Sequence, residues 1–185
     1  MQIGIVSQRN DPDPTRQFAF TFPLRGSMDF PAITIRPDDL TAPEVRDLLQ
    51  AHLDDAVRHS PPESVHSLPP EALRSDDLTL WSAWAGPRLL GCGALKEIDA
   101  VHGEIKAMHT VEESRGRGVG AAILTHIIAE AQRRGYRRLS LETGSMDAYA
   151  PARALYARFG FVVCEPFADY RPDPYSTFMT LQLTG

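Results

Sequence analysis

The chain has 185 residues, 43% of them hydrophobic, and a formal net charge of −5 at pH 7. This length and hydrophobic content are sufficient for one domain with a full core and do not require a second domain. The acidic balance argues against nucleic-acid binding, because that function normally requires clustered Lys and Arg. Two cysteines, no apolar run near the roughly 20 residues of a membrane span and no secretory leader together predict a cytoplasmic protein.

Residues 1–31 differ from the rest of the chain. They are polar, are interrupted by prolines and end in turn residues around Met28. Such segments at a terminus are commonly poorly ordered. We therefore predict an N-terminal extension, poorly ordered or adding one strand, and a single domain over residues 32–185.

The remaining chain alternates between strand and helix patterns. The predicted strands are 32–37, the two arms of a hairpin within 78–98 that turns at Gly86–Pro87, 104–111, 137–143, 161–164 and 176–183. The predicted helices are 42–60, 119–134 and 151–160, with a helical turn at 69–74. This order indicates an α/β domain around a mixed sheet.

A glycine-rich turn follows the strand at 104–111. Gly116, Gly118 and Gly120 keep side chains away from the start of the next helix, and they permit positive φ. A helix N-terminus offers unpaired N–H groups and partial positive charge, and Arg115 and Arg117 add cationic donors at the same place. The turn therefore predicts a site for a phosphorylated ligand.

The spacing within the turn separates the ligand classes. No Lys-Ser or Lys-Thr follows the glycines, which argues against a nucleotide P-loop, and the GxGxG spacing differs from the GxGxxG of a dinucleotide site. The pattern that remains is Arg-x-x-Gly-x-Gly at Arg115, Gly118 and Gly120. A nucleotide or phosphoribosyl ligand held in another manner stays open, as does a turn that only joins strand to helix.

With its flanking segments, the turn resembles the GNAT superfamily of acyl-CoA-dependent N-acetyltransferases. The strand "EIKAMHT" before it is similar to that family's central strand, and "ARALYARFGF" after it is similar to a later helix carrying Tyr156. The resemblance covers residues 32–185 and is most specific over 104–161. It implies an α/β fold of GNAT type, with a mixed, mostly antiparallel central β-sheet flanked by helices and with splayed central strands.

The resemblance also implies acetyl-CoA as the acyl donor, with no metal. The backbone of Met108, His109 and Thr110 would pair with pantetheine, and a backbone N–H near Met108 or His109 would face the thioester oxygen. The residues expected at the pyrophosphate are Arg115, Gly116, Arg117, Gly118, Val119, Gly120 and Ala121. Tyr149 stands where many members carry Asn against pantetheine, three residues before Ala152, so either Tyr149 supplies that contact or the loop has shifted register.

Acyl transfer to an amine needs a proton acceptor and a proton donor. On the resemblance, Tyr156 is the candidate acid that protonates the departing thiolate. Glu104 and Glu142, at the ends of adjacent predicted strands, are the candidate bases, and His109 is a third. No HxH or HExxH spacing indicates a metal site.

The sequence therefore predicts an acetyl-CoA-dependent N-acetyltransferase that acts on a primary amine of a small molecule, by direct transfer within a ternary complex. A non-catalytic acyl-CoA-binding or sensing module on the same fold is the alternative. Acidic side chains would suit a cationic acceptor, and a peptide N-terminus or a protein lysine stays open; the acids considered are Glu104, Glu142, Asp147 and Asp169. The oligomeric state stays open, and dimers through the C-terminal strands are common in proteins of this kind.

Overall fold

The computed structural model describes residues 32–183, so the extension predicted over residues 1–31 lies outside the described residues. Within that range one seven-stranded sheet has the order β1-β2-β3-β4-β5-β7-β6. Its strands are β1 (Thr34–Pro37), β2 (Leu78–Ala85), β3 (Arg88–Asp99), β4 (His102–Thr110), β5 (Arg138–Gly144), β6 (Val162–Val163) and β7 (Ser176–Gln182). In the described sheet only β4 and β5 run parallel, which confirms the mixed, mostly antiparallel architecture.

Three helices flank the sheet in the described chain: α1 (Pro43–His59), α2 (Val119–Arg133) and α3 (Ala150–Arg158). Proline in the first turn of α1 and of α3 favours the start of each helix there, because its fixed φ suits a position whose N–H would be unpaired. Each predicted helix and strand is present, with bounds that differ by a few residues.

The core lies in two layers, one on each face of the sheet. The larger layer joins α2 and α3 to strands β2–β5, with Ile123, Leu124 and Ile127 fully buried. The second layer lies under α1. Trp81 belongs to the first layer and Trp84 to the second, so α1 packs on the opposite face from α2.

The two central strands separate part of the way along their length. Pairing between β4 and β5 ends at Ile105↔Leu141, although β4 stays paired with β3 as far as Thr110 and β5 stays paired with β7 as far as Gly144. An irregularity in the β3–β4 ladder accompanies the separation, with Ala107 at a φ of 52°. A β-bulge of this kind bends a strand away from its neighbour. The splayed central strands are thereby confirmed.

Candidate functional site

A cleft of about 1480 Å³ opens where β4 and β5 separate. Its wall is formed by the end of α1, the second half of β4, the glycine turn, the end of β5 and the start of α3. The predicted site residues that line it are Met108, His109, Thr110, Arg115, Gly116, Arg117, Gly118, Val119, Gly120, Ala121, Glu142, Tyr149, Ala152 and Tyr156. Glu104 is not among the lining residues.

The glycine turn places the N-terminus of α2 at one end of this cleft. Gly116 and Gly118 have φ of 71° and 84°, a region that L-residues with side chains adopt only at a cost. Gly118 is the N-cap, and its carbonyl accepts the first intrahelical bond from Ala122 at 2.9 Å. Because glycine has no capping side chain, the N–H groups of the first turn remain available to an anion.

Arg115 fixes the turn against the end of β4. Its Nε donates to the Thr110 carbonyl at 3.3 Å, and its Nη2 lies 3.9 Å from Asp55 Oδ2 on α1. The side chain is 52% exposed. A guanidinium in this position adds positive charge to the end of the cleft that already carries the helix N-terminus.

Histidines line the wall between α1 and β4. The ring centroids of His52 and His109 are 5.0 Å apart. Burial lowers the pKa of His52 to about 4, with the neighbouring His109 contributing, and burial also lowers the pKa of His109. Both rings are therefore neutral at neutral pH. The helical spacing in the sequence places His52 on the apolar face of α1. A single histidine in such a pattern does not indicate that the face borders a cleft, so this residue was not predicted as part of the site.

Tyr156 lies in the wall formed by α3 and is 6% exposed. Its ring packs edge-on against Phe161, with centroids 5.7 Å apart. Burial raises the pKa of the phenol above its usual value, and the charge of Glu142 raises it further. The phenol is therefore protonated at neutral pH, as a proton donor must be.

Glu142 lies one residue beyond the last position at which β5 pairs with β4. Its Oε1 accepts a hydrogen bond from Ser176 Oγ at 2.7 Å. Burial raises the pKa of this carboxyl, as does the nearby Glu104, whereas Ser176, His66 and Lys106 oppose the shift. A carboxyl with a raised pKa in a cleft is suited to proton transfer near neutral pH.

Glu104 lies beside the cleft with its carboxylate already engaged. Its Oε1 accepts from Lys106 Nζ at 2.9 Å and from the Tyr170 hydroxyl at 2.6 Å, and the residue is 5% exposed. Sequence reasoning missed both partners. Lys106 could have been predicted, because residues two apart on a strand share a face. Tyr170 could not, because it lies 66 residues away in the sequence.

Tyr149 closes another part of the wall, in the turn that precedes α3. Its ring lies against Gly144 of β5 and meets the ring of His59 edge-on at 6.3 Å, across the cleft. Ala152 follows in the first turn of α3 and also lines the cleft. Tyr149 thus lies in the cleft wall, and a contact between it and pantetheine stays a prediction.

Neither a metal cluster nor a membrane-spanning helix occurs in the described part of the chain. Within residues 32–183 no group of three or more His, Cys, Asp or Glu side chains is placed to hold a metal ion. None of the helices in that range is long and apolar enough to cross a membrane.

Comparison with known proteins identifies the family. The acetyltransferase (GNAT) family matches residues 43–161. The chain is 56% identical over 149 residues to an uncharacterised N-acetyltransferase, YsnE, of Bacillus subtilis strain 168, covering 80% of this chain and 99% of that protein. The chain therefore belongs to the GNAT acetyltransferase family and is an acyltransferase, which confirms the resemblance seen in the sequence.

Solved structures agree with this assignment. A candidate acyl-CoA N-acyltransferase of Klebsiella pneumoniae is 30% identical with a TM-score of 0.66, covering 82% of this chain and 98% of that one. A GNAT acetyltransferase of Elizabethkingia anophelis, solved with acetyl-CoA bound, is 20% identical with a TM-score of 0.57 and the same coverage of both chains. The second likeness shows the shared fold.

Proposed function

We propose that this chain transfers an acetyl group from acetyl-CoA to a primary amine of a small molecule, directly, within a ternary complex. One observation carries the proposal. A single cleft holds the uncapped N-terminus of α2 at one end and, on the walls beyond it, a protonated phenol and a carboxyl with a raised pKa, Tyr156 and Glu142.

The residues present fit an acyl-CoA donor. The pyrophosphate is assigned to the first-turn N–H groups of Val119, Gly120 and Ala121, with Arg115 and Arg117 supplying charge. A side chain at Gly120 would come to 3.3 Å from Leu155 and 3.7 Å from Thr110, so the glycine keeps this narrow part of the cleft open. The pantetheine arm is assigned to the unpaired edge of β4 at 108–110, with Tyr149 and Ala152 across the cleft.

When bound, acetyl-CoA supplies a thioester whose carbonyl carbon accepts the amine, so that a C–N bond forms and the C–S bond breaks. Glu142 takes the proton that the amine must lose, either directly or through water. Tyr156 donates its proton to the sulfur as the thiolate departs, and it is suited to this because burial keeps it protonated.

Glu142 is the base that the geometry favours among the three candidates. It lines the cleft, and only one of its oxygens is held by Ser176. Glu104 lies outside the lining residues and is bonded to Lys106 and Tyr170. His109 lines the cleft, but its lowered pKa makes it a weaker base than an ordinary histidine.

The experiment separates an enzyme from a sensing module. Thermal stabilisation by acetyl-CoA, and not by ATP or NAD, is expected if the cleft holds an acyl-CoA. Release of free thiol above the hydrolysis background, in the presence of a panel of amines, is expected of the enzyme. Stabilisation without thiol release from any amine would instead establish the non-catalytic alternative.

Two further expectations stay predictions. The homodimer is tested by sedimentation equilibrium of the full chain. The cytoplasmic location is tested by fractionation of cells that express it.

A further inference from the structure

Lys106 and Glu142 occupy equivalent places on the two separating strands. Each is the first residue beyond the last paired position, Ile105↔Leu141. Ile105 and Leu141 point into the core layer beneath α2, so alternation along a strand directs the next side chains to the opposite face. Lys106 and Glu142 therefore face the same side of the sheet, at the point where the gap opens, and both line the cleft.

The ammonium of Lys106 is held in a fixed position. It donates to Glu104 Oε1 at 2.9 Å and to the Tyr170 hydroxyl at 2.8 Å, and its side chain is only 12% exposed. An ammonium has three N–H donors. Among the described residues these two bonds leave the third donor for a ligand in the cleft.

Glu142 provides the complementary group. Ser176 donates to its Oε1, and among the described residues no hydrogen bond is recorded to Oε2. Lys106 lies close enough to lower the pKa of this carboxyl, so the two groups share one electrostatic environment. The gap between the strands is thus bordered by one anchored cation and one carboxyl.

The charge pattern differs from the acidic pocket expected for a cationic acceptor. Of the four acids considered, only Glu142 lines the cleft, and Glu104, beside it, forms an ion pair with Lys106. Asp55, which does line it, lies 3.9 Å from Arg115 at the end with the glycine turn. At the gap between β4 and β5, a polycation would therefore meet one lining carboxyl, Glu142, and the ammonium of Lys106.

We propose that the acceptor is a zwitterion of the amino-acid type, whose carboxylate accepts a hydrogen bond from Lys106 Nζ while its amino group donates to Glu142. The assignment rests on the proposed function. Charge-assisted hydrogen bonds are stronger than neutral ones, and an acceptor that lacked the carboxylate would not form this bond to the partly buried ammonium. The carboxylate thus selects the acceptor and orients its amine toward the base.

The test compares amines that differ only in the carboxylate. Thiol release from acetyl-CoA is measured with phenylalanine and phenethylamine, with lysine and cadaverine, and with glutamate and 4-aminobutyrate, the last pair differing in the α-carboxylate. The carboxylated member of at least one pair is expected to have a kcat/KM at least about tenfold higher, the usual effect of losing one hydrogen bond to a charged group. A preference for the decarboxylated member in every pair that reacts would overturn the inference, and this result depends on no variant.

Variants then assign the preference to Lys106. Lys106→Met and Lys106→Gln are expected to bring the ratio within a pair close to one, mainly through the KM of the carboxylated amine. Lys96→Met is the matched control, because Lys96 is the other lysine of the chain and its ammonium lies at the surface, 3.8 Å from Asp77. An unchanged ratio in folded Lys106 variants that bind acetyl-CoA would overturn the assignment.

The failures are distinguishable. Acetylation of decarboxylated amines alone would reject the zwitterionic acceptor and leave the acetyltransferase in place. Binding of acetyl-CoA with no thiol release from any member of the panel would reject both.

Discussion

The ring of Tyr149 fills the space that a side chain at Gly144 would need. A Cβ at Gly144 would overlap the Cγ, Cδ2 and Cε2 atoms of that ring. Gly144 is the last residue of β5, and Tyr149 ends the turn that leads into α3, so this contact sets the wall of the cleft between a strand and a helix. The absent side chain at Gly144 allows the tyrosine to lie at the cleft.

Gly144→Ala is therefore expected to displace Tyr149 and to weaken acetyl-CoA binding, at a stability cost of about 1–3 kcal/mol, as for other overpacked sites. Isothermal titration and thermal melting measure the two effects. In a Tyr149→Ala background the same substitution should cost much less, because the clash is gone. Equal costs in both backgrounds would show that the two residues do not interact.

Tyr156→Phe is expected to lower kcat by roughly 10²-fold or more, the lower end of what a general acid contributes. Acetyl-CoA affinity should change little, since the ring and its packing on Phe161 are retained. Thiol release at saturating substrate measures kcat, and titration calorimetry measures affinity. Tyr175→Phe, at a tyrosine that is 43% exposed, provides the control. A kcat equal to that of the unmodified chain would remove Tyr156 from the reaction.

The pH profile should report Glu142. Burial raises its pKa, so the carboxylate is available only above that raised value, and kcat/KM should fall as the pH drops through it. The acid limb is thus expected at a higher pH than for an ordinary carboxyl, and Glu142→Gln should abolish most of the activity.

Ser176→Ala offers a sharper test of the same assignment. The hydroxyl donates to Glu142 Oε1 and lowers its pKa, so its removal should move the acid limb to still higher pH. Steady-state rates at closely spaced pH values measure the shift. An acid limb that stays in place, in a variant that retains its fold and acetyl-CoA affinity, would assign the titration to another group.

Gly116 and Gly86 form a matched pair for the donor site. Both have positive φ, at 71° and 57°, and a Cβ added at either glycine would have no atom within 4 Å. Alanine at either position should therefore destabilise the fold by a similar amount, about 1 kcal/mol. Only Gly116→Ala should also weaken acetyl-CoA binding, because Gly86 lies in the β2–β3 turn outside the cleft. Equal losses of affinity would refute the placement of the pyrophosphate.

The sequence predicted most of the fold because its signals are local. Apolar spacing located the helices, and Gly86–Pro87 located the hairpin turn. The glycine turn also predicted one end of the cleft. Residues 115–120 alone show that α2 begins without a capping side chain, and the start of α2 lies at that end.

Pairs that are distant in sequence could not be predicted in the same way. The bond between Tyr170 and Glu104 joins residues 66 positions apart, and the one between Ser176 and Glu142 joins residues 34 apart. In the sequence Glu104 and Glu142 look equivalent, as acids on adjacent strands. In the structure Glu104 is bonded to Tyr170 outside the cleft lining, whereas Glu142 is bonded to Ser176 and lines the cleft. The role proposed for Lys106 likewise depends on the register of β4 against β5, which the sequence alone does not give.

The end of pairing at Ile105↔Leu141 leaves the sheet with an edge inside the molecule. An edge at the outside of a sheet can pair with a strand of another chain, whereas this one lies in a cleft bordered by α1 and α3. Beyond this point the space between β4 and β5 corresponds to the position of one further strand in the sheet. A ligand with amide groups along its length is expected to pair with this edge as a strand would, and the backbone of 106–110 should then become protected from hydrogen exchange.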